Sequence, residues 1–481
     1  MATIRTAERR ARQLCEQPAE KMKTAFRHYL YRRFYHCLYQ GLSVFICGSL
    51  FLLSPPPIQA QDWFRTGTGL GVSKARVAVA DFVGKSPSAQ PLGVEFSDIV
   101  RSDLDFSGIL ELVSKSYYPL QAPGTQVEVD YKAWTDAPAS TQLLAFGNLS
   151  TDNSLEIQAW LNDVRNASLP PVIGKVYRGE VNDAQVRTFA HQFADEIISK
   201  LSGGLPGIAS TQIAFVSNRS GNKEIWAMDY DGENQHQLTQ LHTISLTPRW
   251  SPDASRIAFT CYMQPGSSGV VTAQICVQSM LTNHLISWPR FRGTNSSPAW
   301  SPDGSQLMFM SSMNGSPELF VADASGQRPK RITFSSGAST SPSWNPKTGQ
   351  QVAFVSDRGG IPQLYVMNAD GSSQSKIDLP DMGYVIDPAW SPNGQLLSFS
   401  WRRPNGNYDL YVMEIATRQL VELTRDVGRN ERPSWAPDGR HLVFESTRTG
   451  TRQIWSMLAD GTAARQLTTQ GQNESPNWSP K

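Results

Sequence analysis

Short apolar runs that alternate with polar residues fill the chain from Thr211 onward, and they predict strands rather than helices. Runs at residues 257–259, 352–354 and 442–444 are each followed by a second short apolar run, such as the one at Leu364 and Tyr365. Successive side chains of a strand point to opposite faces of its sheet, so runs of this kind suit strands with one buried face.

A Pro-x-Trp motif, continued as Ser-Pro in four of its six copies, precedes these runs and divides the region into units. It is centred on Trp250, Trp300, Trp344, Trp390, Trp435 and Trp478, at intervals of 43 to 50 residues. A repeat of this length indicates a solenoid, a propeller or an array. In the unit of Trp300, the pattern predicts a turn and then strands at 307–311, 319–323 and 330–333. With the strand that holds the Trp, each unit has four strands, as a propeller blade does.

The two ends of the repeat region complement each other. The runs at residues 213–215 and 225–226 have no Trp strand before them, and the strand of Trp478 has no further strands after it. Joining these fragments closes a ring of six blades and removes the free edges of an open array. We therefore expect the Trp side chains to be core residues first, and function to lie in loops around the channel.

A small α/β domain is predicted before the repeats, at residues 75–203, followed by a linker at 204–210. Phe96, Ile99, Val100 and Leu104 mark one face of a first helix. A second helix begins at Asn182 or Asp183, and strands are predicted at 76–82, 110–113, 143–149, 155–164 and 175–181. The fold class is thus mainly β: a six-bladed β-propeller at 211–481, closed by its C-terminal strand and preceded by a small α/β domain.

Residues 1–60 have the pattern of a leader with a signal peptide. Basic residues precede an apolar run at 42–53, and a small residue, Ala60, is the expected cleavage site. An uncleaved membrane anchor is the alternative, and Met22 could be the true start. Outside the leader, 35 basic and 39 acidic side chains remain, which gives a net charge of about −4. This balance does not indicate the basic surface that nucleic-acid binding requires.

Catalytic and metal-binding patterns are weak throughout. The chain has no Gly-x-Ser-x-Gly and no His-Glu-x-x-His motif, so we expect neither an enzyme nor a cofactor. Asp229 and Asp231 are spaced as in a calcium loop, although a hairpin turn explains them better. His191 lacks catalytic partners at a matched spacing, and a hydrogen-bonded helix histidine at a domain contact is preferred. Cys261 and Cys276 fall on adjacent strands, where a disulfide and two buried thiols are equally acceptable.

The helix and linker around residues 186–215 resemble the domain junction of the TolB family. Leu144-Ala-Phe-Gly147 and the strand at 155–163 are similar to the paired strands of that family's N-terminal domain, and Phe106-Ser-Gly108 also fits. The resemblance covers about residues 61–481. It implies a periplasmic, non-enzymatic component of a Tol-Pal system that supports envelope integrity and cell division.

The same resemblance implies two sites for protein partners. A Pal-like lipoprotein would dock on loop residues just before the Trp strands: Asn295, Ser296, Ser297, Thr340, Ser341, Asn430, Glu431, Asn473 and Glu474. A TolA-like protein would bind the N-terminal segment at 61–74, through Asp62, Trp63, Phe64, Arg65 and Thr66, although an ordinary frayed terminus is equally compatible with that segment. The protein would be a monomer, peripheral to the membrane through its partners.

A different function class stays open from the residues alone. A propeller of this size could also bind a small ligand such as a glycan, with the central channel as its pocket. A hydrolase lacks a nucleophile constellation. Convergent polar and aromatic side chains in the channel would favour the small-ligand hypothesis over the protein scaffold.

Overall fold

The α/β domain is built on one twisted sheet, in a computed structural model that describes residues 74–263, 271–403 and 406–480. All described residues fall within one compact unit. The sheet order is β3-β1-β4-β5-β6, with β2 paired to β4. Its strands are β1 (Ala75–Val79), β2 (Val83–Gly84), β3 (Leu110–Leu112), β4 (Leu143–Ser150), β5 (Leu155–Asp163) and β6 (Ile173–Gly179). β1 runs parallel to β3 and β4, whereas β4, β5 and β6 are mutually antiparallel.

Two long helices cover one face of this sheet. They are α1 (Gln90–Phe106) and α3 (Asp183–Leu201), and a one-turn helix α2 (Tyr131–Thr135) lies between them in sequence. Phe96 of α1 stacks on Phe193 of α3 with ring centroids 6.2 Å apart. The α3 N-terminus is capped by Asn182, whose side chain accepts from the Gln185 amide at 2.8 Å, which satisfies one of the free N–H groups of the first turn.

The first predicted strand is shorter than its apolar run. β1 ends at Val79, whereas the run continues to Phe82. The amide of Phe82 donates to the Ser97 hydroxyl of α1 at 2.8 Å, and the Phe82 ring lies 4.6 Å from that of Phe96. Phe82 is therefore buried against the helix instead of continuing the strand.

The remaining strands form six four-stranded sheets, which we call blades I to VI in ring order. The inner strands, each ending at a motif Trp, are β30 (Asn473–Trp478) in blade I, β10 (Ser245–Trp250), β14 (Asn295–Trp300), β18 (Ser339–Trp344), β22 (Tyr384–Trp390) and β26 (Asn430–Trp435). The second strands are β7 (Gln212–Ser217), β11 (Arg256–Met263), β15 (Gln306–Ser311), β19 (Gln351–Ser356), β23 (Leu396–Arg402) and β27 (His441–Ser446).

The outer half of each blade is formed by a third strand and a short fourth one. The third strands are β8 (Glu224–Asp229), β12 (Thr272–Ser279), β16 (Glu318–Asp323), β20 (Gln363–Asn368), β24 (Tyr408–Glu414) and β28 (Gln453–Leu458). The fourth strands are β9 (His236–Gln237), β13 (Leu285–Ile286), β17 (Lys330–Arg331), β21 (Ser375–Lys376), β25 (Leu420–Glu422) and β29 (Arg465–Gln466).

Blade I confirms the predicted closure of the ring. Its order is β30-β7-β8-β9, so the strand of Trp478 completes the sheet that begins near residue 212. Trp478 pairs with Ile213, and its indole N–H donates to the Thr211 hydroxyl at 2.7 Å. The six motif Trp side chains are only 4–8% exposed, which agrees with their predicted role in the core between blades.

Cys261 and Cys276 form a disulfide across β11 and β12. Of the two sequence interpretations, the structure therefore shows the bridge rather than two thiols. β11 ends at Met263, and the next described residue is Val271. The bridge therefore lies near the end of β11.

Candidate functional site

The two faces of the propeller differ in what covers them. On one face, the inner strands end at their Trp residues, and the turn after Trp435 contacts the α/β domain. There Arg440 Nη1 donates to the Ser107 carbonyl at 2.9 Å, and His441 Nε2 lies 2.9 Å from the Phe106 carbonyl oxygen. The opposite face carries the loops before the inner strands and the first three residues of each inner strand, and we call it the strand-start face. All predicted Pal-contact residues lie on it.

Every inner strand has a bulge three residues before its Trp, toward the strand-start face. These residues have positive φ angles of 50° to 56° although none is glycine: Thr247, Ser297, Ser341, Asp387, Arg432 and Ser475. A conformation that L-residues rarely adopt needs support from its surroundings. The neighbouring blade supplies it, since the Ser297 amide donates to the Thr260 hydroxyl at 3.2 Å and the Ser475 amide to a Glu445 carboxylate oxygen at 2.7 Å.

The predicted serine and threonine contacts remain accessible. Ser296, Ser297, Thr340 and Ser341 are all partly exposed at the start of β14 and β18. Short hydroxyl side chains at the bulge leave room for a partner's side chains and can donate or accept hydrogen bonds. This sector is the least obstructed part of the predicted site.

The predicted asparagines are placed differently, because Asn295, Asn430 and Asn473 have no accessible surface. Asn295 Nδ2 donates to the Phe291 and Gly293 carbonyls at 3.1 and 3.2 Å. Asn473 Nδ2 donates to the Gln470 carbonyl at 2.9 Å. They hold the preceding loops in place, so a partner would contact those loops and not the asparagines themselves.

The predicted glutamates belong to an ion-pair network at the channel. Arg452 Nη1 lies 2.9 Å from a Glu474 oxygen, and its Nη2 lies 3.8 Å from a Glu431 oxygen. Glu445 lies between Arg432 Nη1, at 2.9 Å, and Arg452 Nε, at 3.1 Å. The pKa of Glu445 is raised because burial opposes its charge, although both guanidinium groups offset part of that effect.

The pKa of Glu474 is shifted in the opposite direction to that of Glu445, although Glu474 is also buried. Burial opposes its ionisation, yet the hydrogen bond from Lys223 and the charges of Arg432 and Arg452 lower its pKa overall. Carboxylates that are this well paired stay charged at neutral pH. Glu474 therefore carries a negative charge next to the guanidinium groups of Arg432 and Arg452.

Sequence reasoning missed a set of exposed apolar side chains on the same face. They lie in the loops before the inner strands or, for Tyr384, at the first residue of β22: Ile244 (43% exposed), Phe334 (74%), Met382 (78%), Tyr384 (40%) and Val427 (41%). Exposed apolar groups that share one face are a feature of protein-binding surfaces. Their signal in the sequence is faint, because they are scattered among polar residues of four separate blades.

Two other candidates have structural partners at the contact between the α/β domain and the propeller. Arg187 Nε lies 3.0 Å from an Asp229 oxygen and its Nη2 lies 2.6 Å from an Asp231 oxygen, which makes the hairpin-turn interpretation of these aspartates the better one. His191 Nδ1 lies 2.7 Å from an Asp103 oxygen, and Tyr230 donates to the other oxygen of Asp103 at 2.5 Å. Burial raises the pKa of Asp103, while its contacts with His191 and Tyr230 oppose that rise.

Some predictions lie outside the described residues. They are the signal peptide with its cleavage near Ala60, and the TolA-contact residues Asp62, Trp63, Phe64, Arg65 and Thr66. Among the residues that are described, no group of three or more His, Cys, Asp or Glu side chains could hold a metal ion. Nor does that part of the chain contain a helix long and apolar enough to cross a membrane.

The fold defines the class: a closed six-bladed propeller with an N-terminal α/β domain. Family comparisons agree. The model described as the TolB beta propeller domain matches residues 199–385 and 380–481, and that of the TolB amino-terminal domain matches 68–169. The chain belongs to the TolB family.

Individual relatives are moderately similar. A "Protein TolB homolog" of Chlorobium chlorochromatii is 30% identical over 63% of this chain and 66% of its own length. A "Tol-Pal system protein TolB" of Desulfosudis oleivorans is 32% identical over 50% of this chain and 53% of its own. These alignments thus span between half and two thirds of the curated relatives. The crystal structure of TolB from Acinetobacter baumannii covers 85% of this chain and 98% of its own, at 26% identity and a TM-score of 0.71.

Proposed function

We propose that this chain is a periplasmic, non-enzymatic scaffold of a Tol-Pal system that binds a Pal-like, peptidoglycan-associated lipoprotein through its strand-start face. A leader cleaved near Ala60 would deliver it to the periplasm. Membership of the TolB family supports the system, since several relatives carry the name "Tol-Pal system protein TolB". The protein would act as a monomer that joins two partners and so supports envelope integrity during division.

The observation that carries the proposal is the chemistry of the strand-start face. Accessible hydroxyl groups at Ser296, Ser297, Thr340 and Ser341 lie on the same face as exposed Phe334 and Met382. Protein interfaces combine apolar anchors with a polar rim in this way. The ion-pair network that contains Glu431 and Glu474 lies on the same face, and charged groups at an interface favour specificity and orientation more than affinity.

A TolA-like partner is proposed for the N-terminal segment at 61–74. Trp63 and Phe64 would supply the apolar contacts of an extended segment, with Asp62, Arg65 and Thr66 as its polar ones. Short segments that bind in an extended form gain affinity from main-chain hydrogen bonds and specificity from alternate side chains.

Two matched variants in blade IV test the Pal-like site. Thr340→Arg places a long cation on the strand-start face, whereas Gln350→Arg places one on the exposed turn after Trp344. With the soluble domain of a Pal-like lipoprotein, calorimetry should show a loss of about 30-fold for Thr340→Arg, the equivalent of ~2 kcal/mol at an interface centre. Gln350→Arg should bind as the parent does. Equal affinities for all three proteins would refute the assignment of this face.

Deletion of residues 61–73 tests the second partner separately. The described domains should unfold at an unchanged temperature, because the deletion ends before β1. Binding of a TolA-like domain should be lost, while the Pal-like partner is still captured in a pull-down. Retention of both partners at parental affinity would remove the segment from the proposal.

A further inference from the structure

The channel contains a cavity whose chemistry differs from that of the strand-start face. It has a volume of about 550 Å³ and lies at the Trp ends of the inner strands. Its wall is made by the six motif Trp residues and by prolines two positions after them: Pro252, Pro302, Pro346, Pro392, Pro437 and Pro480. Pro206 of the linker also lines it. We call this cavity the Trp-end chamber. Its size lies within the range of small-molecule sites, roughly 300–1,000 Å³.

One ring of side chains around the chamber directly precedes the tryptophans, and its polar members are mostly occupied. Ser434 Oγ accepts from the Trp478 amide and from Asn477 Nδ2, both at 3.1 Å. Asn477 Oδ1 accepts from the Trp250 amide at 2.8 Å, and Ser343 Oγ from the Trp390 amide at 3.4 Å. These groups join neighbouring blades, so they offer little to a ligand.

Arg249 is the only charged member of that ring, where blades III and V have Ala299 and Ala389. Among the described residues, the one hydrogen bond of its guanidinium runs from Nη1 to the Pro248 carbonyl, at 2.9 Å. No carboxylate of the described chain lies within ion-pair distance of it. A guanidinium has five N–H donors, so most of the hydrogen-bonding capacity of Arg249 is unused.

The charges that face Arg249 do not neutralise it. Desolvation lowers the pKa of Arg249, the charge of Asp387 opposes that change, and the charge of Arg432 adds to it. Asp387 lies closer to Arg432, with Oδ2 3.9 Å from Nε. Arg432 is also paired with Glu445, whose Oε2 lies 2.9 Å from Nη1 of Arg432. Among the described residues, Arg249 therefore has no carboxylate within ion-pair distance beside the apolar wall, whereas Arg432 has both Asp387 and Glu445.

We propose that the Trp-end chamber binds small organic carboxylates, with Arg249 as the anion-binding residue. The paired N–H groups of a guanidinium match the two oxygens of a carboxylate, and the proline and indole surfaces would contact the apolar body of the ligand. A neutral glycan would find few free polar groups here. This site is distinct from the strand-start face, because none of the predicted Pal-contact residues lines the chamber.

Benzoate and its neutral isostere benzamide are the probes for this proposal. Calorimetry on the full chain at low ionic strength should give benzoate at least about 10-fold tighter binding, the effect of one charge-assisted contact. Arg249→Gln should remove the preference, and Arg249→Lys should keep a weaker one. The control Arg178→Gln changes an arginine on the α/β domain and should behave as the parent. Crystals soaked with 4-iodobenzoate should show the iodine in the chamber.

The comparison of benzoate with benzamide on the parent protein is decisive even if a variant folds poorly. Equal binding of the two probes overturns the proposal, and so does a preference for benzoate that survives Arg249→Gln. Thermal unfolding distinguishes a ligand-binding role of Arg249 from a structural one. Because Arg249 has no ion pair among the described residues, its replacement by glutamine should not lower the melting temperature. Binding of the Pal-like partner should be unchanged in Arg249→Gln, so this site and the proposed function can fail independently.

Discussion

The closing strand β30 makes a quantitative prediction through Trp478. Its side chain is 4% exposed, and its indole N–H donates to the Thr211 hydroxyl at 2.7 Å. Replacing so large a buried side chain with alanine typically costs about 3–5 kcal/mol of unfolding free energy. Trp344 is the matched control in blade IV, because it is 8% exposed and its indole nitrogen has no hydrogen-bond partner among the described residues.

Phenylalanine substitutions isolate the hydrogen bond from the packing. Trp478→Phe should cost about 1 kcal/mol more than Trp344→Phe, the usual net value of one such bond. Urea unfolding followed by far-UV circular dichroism gives both free energies, and the slope should not change between variants. Equal losses for the two phenylalanine variants would refute the role of the hydrogen bond. A Trp478→Ala variant that loses less than ~1 kcal/mol would refute the role of β30 in closing the ring.

The remaining predictions concern the domain contact and the turns. Arg187→Met leaves two partly buried aspartates unpaired, so it should destabilise the contact of the two domains by about 3 kcal/mol, seen as earlier proteolysis at residues 202–211 than in the parent. Hydrogen bonds from Ser301 and Ser305 lower the pKa of Asp303 to about 2. The stability from this group is therefore present above its unfolded pKa, near 4, and is lost as pH falls from about 4 to 2. Asp303→Asn should reduce that acid sensitivity in thermal unfolding, because Asn393 already makes the equivalent contact with Ser391 at 2.7 Å. An unchanged pH profile would contradict this explanation.

The repeat and its closure could be predicted because the inner strand has a nearly invariant chemistry. A Pro-x-Trp motif at a regular interval gives both the blade count and the buried position of each indole. The bulge three residues before each Trp could not be predicted, since no glycine marks the positive φ of Ser297 or Arg432. It depends on hydrogen bonds from the neighbouring blade, which are distant in sequence.

The sequence motif places the candidate residues on one face of the propeller, but it does not predict how far each of them is exposed. Asn295 and Ser296 are neighbours in the sequence, yet one is buried and the other is partly exposed. Glu474 owes its charge state to Lys223 and Arg452, which belong to other strands and loops. Burial and ion pairing of this kind follow from how blades meet, and spacing along the chain does not encode them.

Hydrogen exchange of the full chain, with and without a Pal-like lipoprotein, tests the central claim most directly. The account predicts slower exchange on binding in the loops and first residues of the inner strands, at residues 294–297, 335–341 and 380–385. Exchange in the turns after the tryptophans, such as residues 301–305, should not change. Protection of those turns together with unchanged exchange on the strand-start face would contradict the proposed mode of binding.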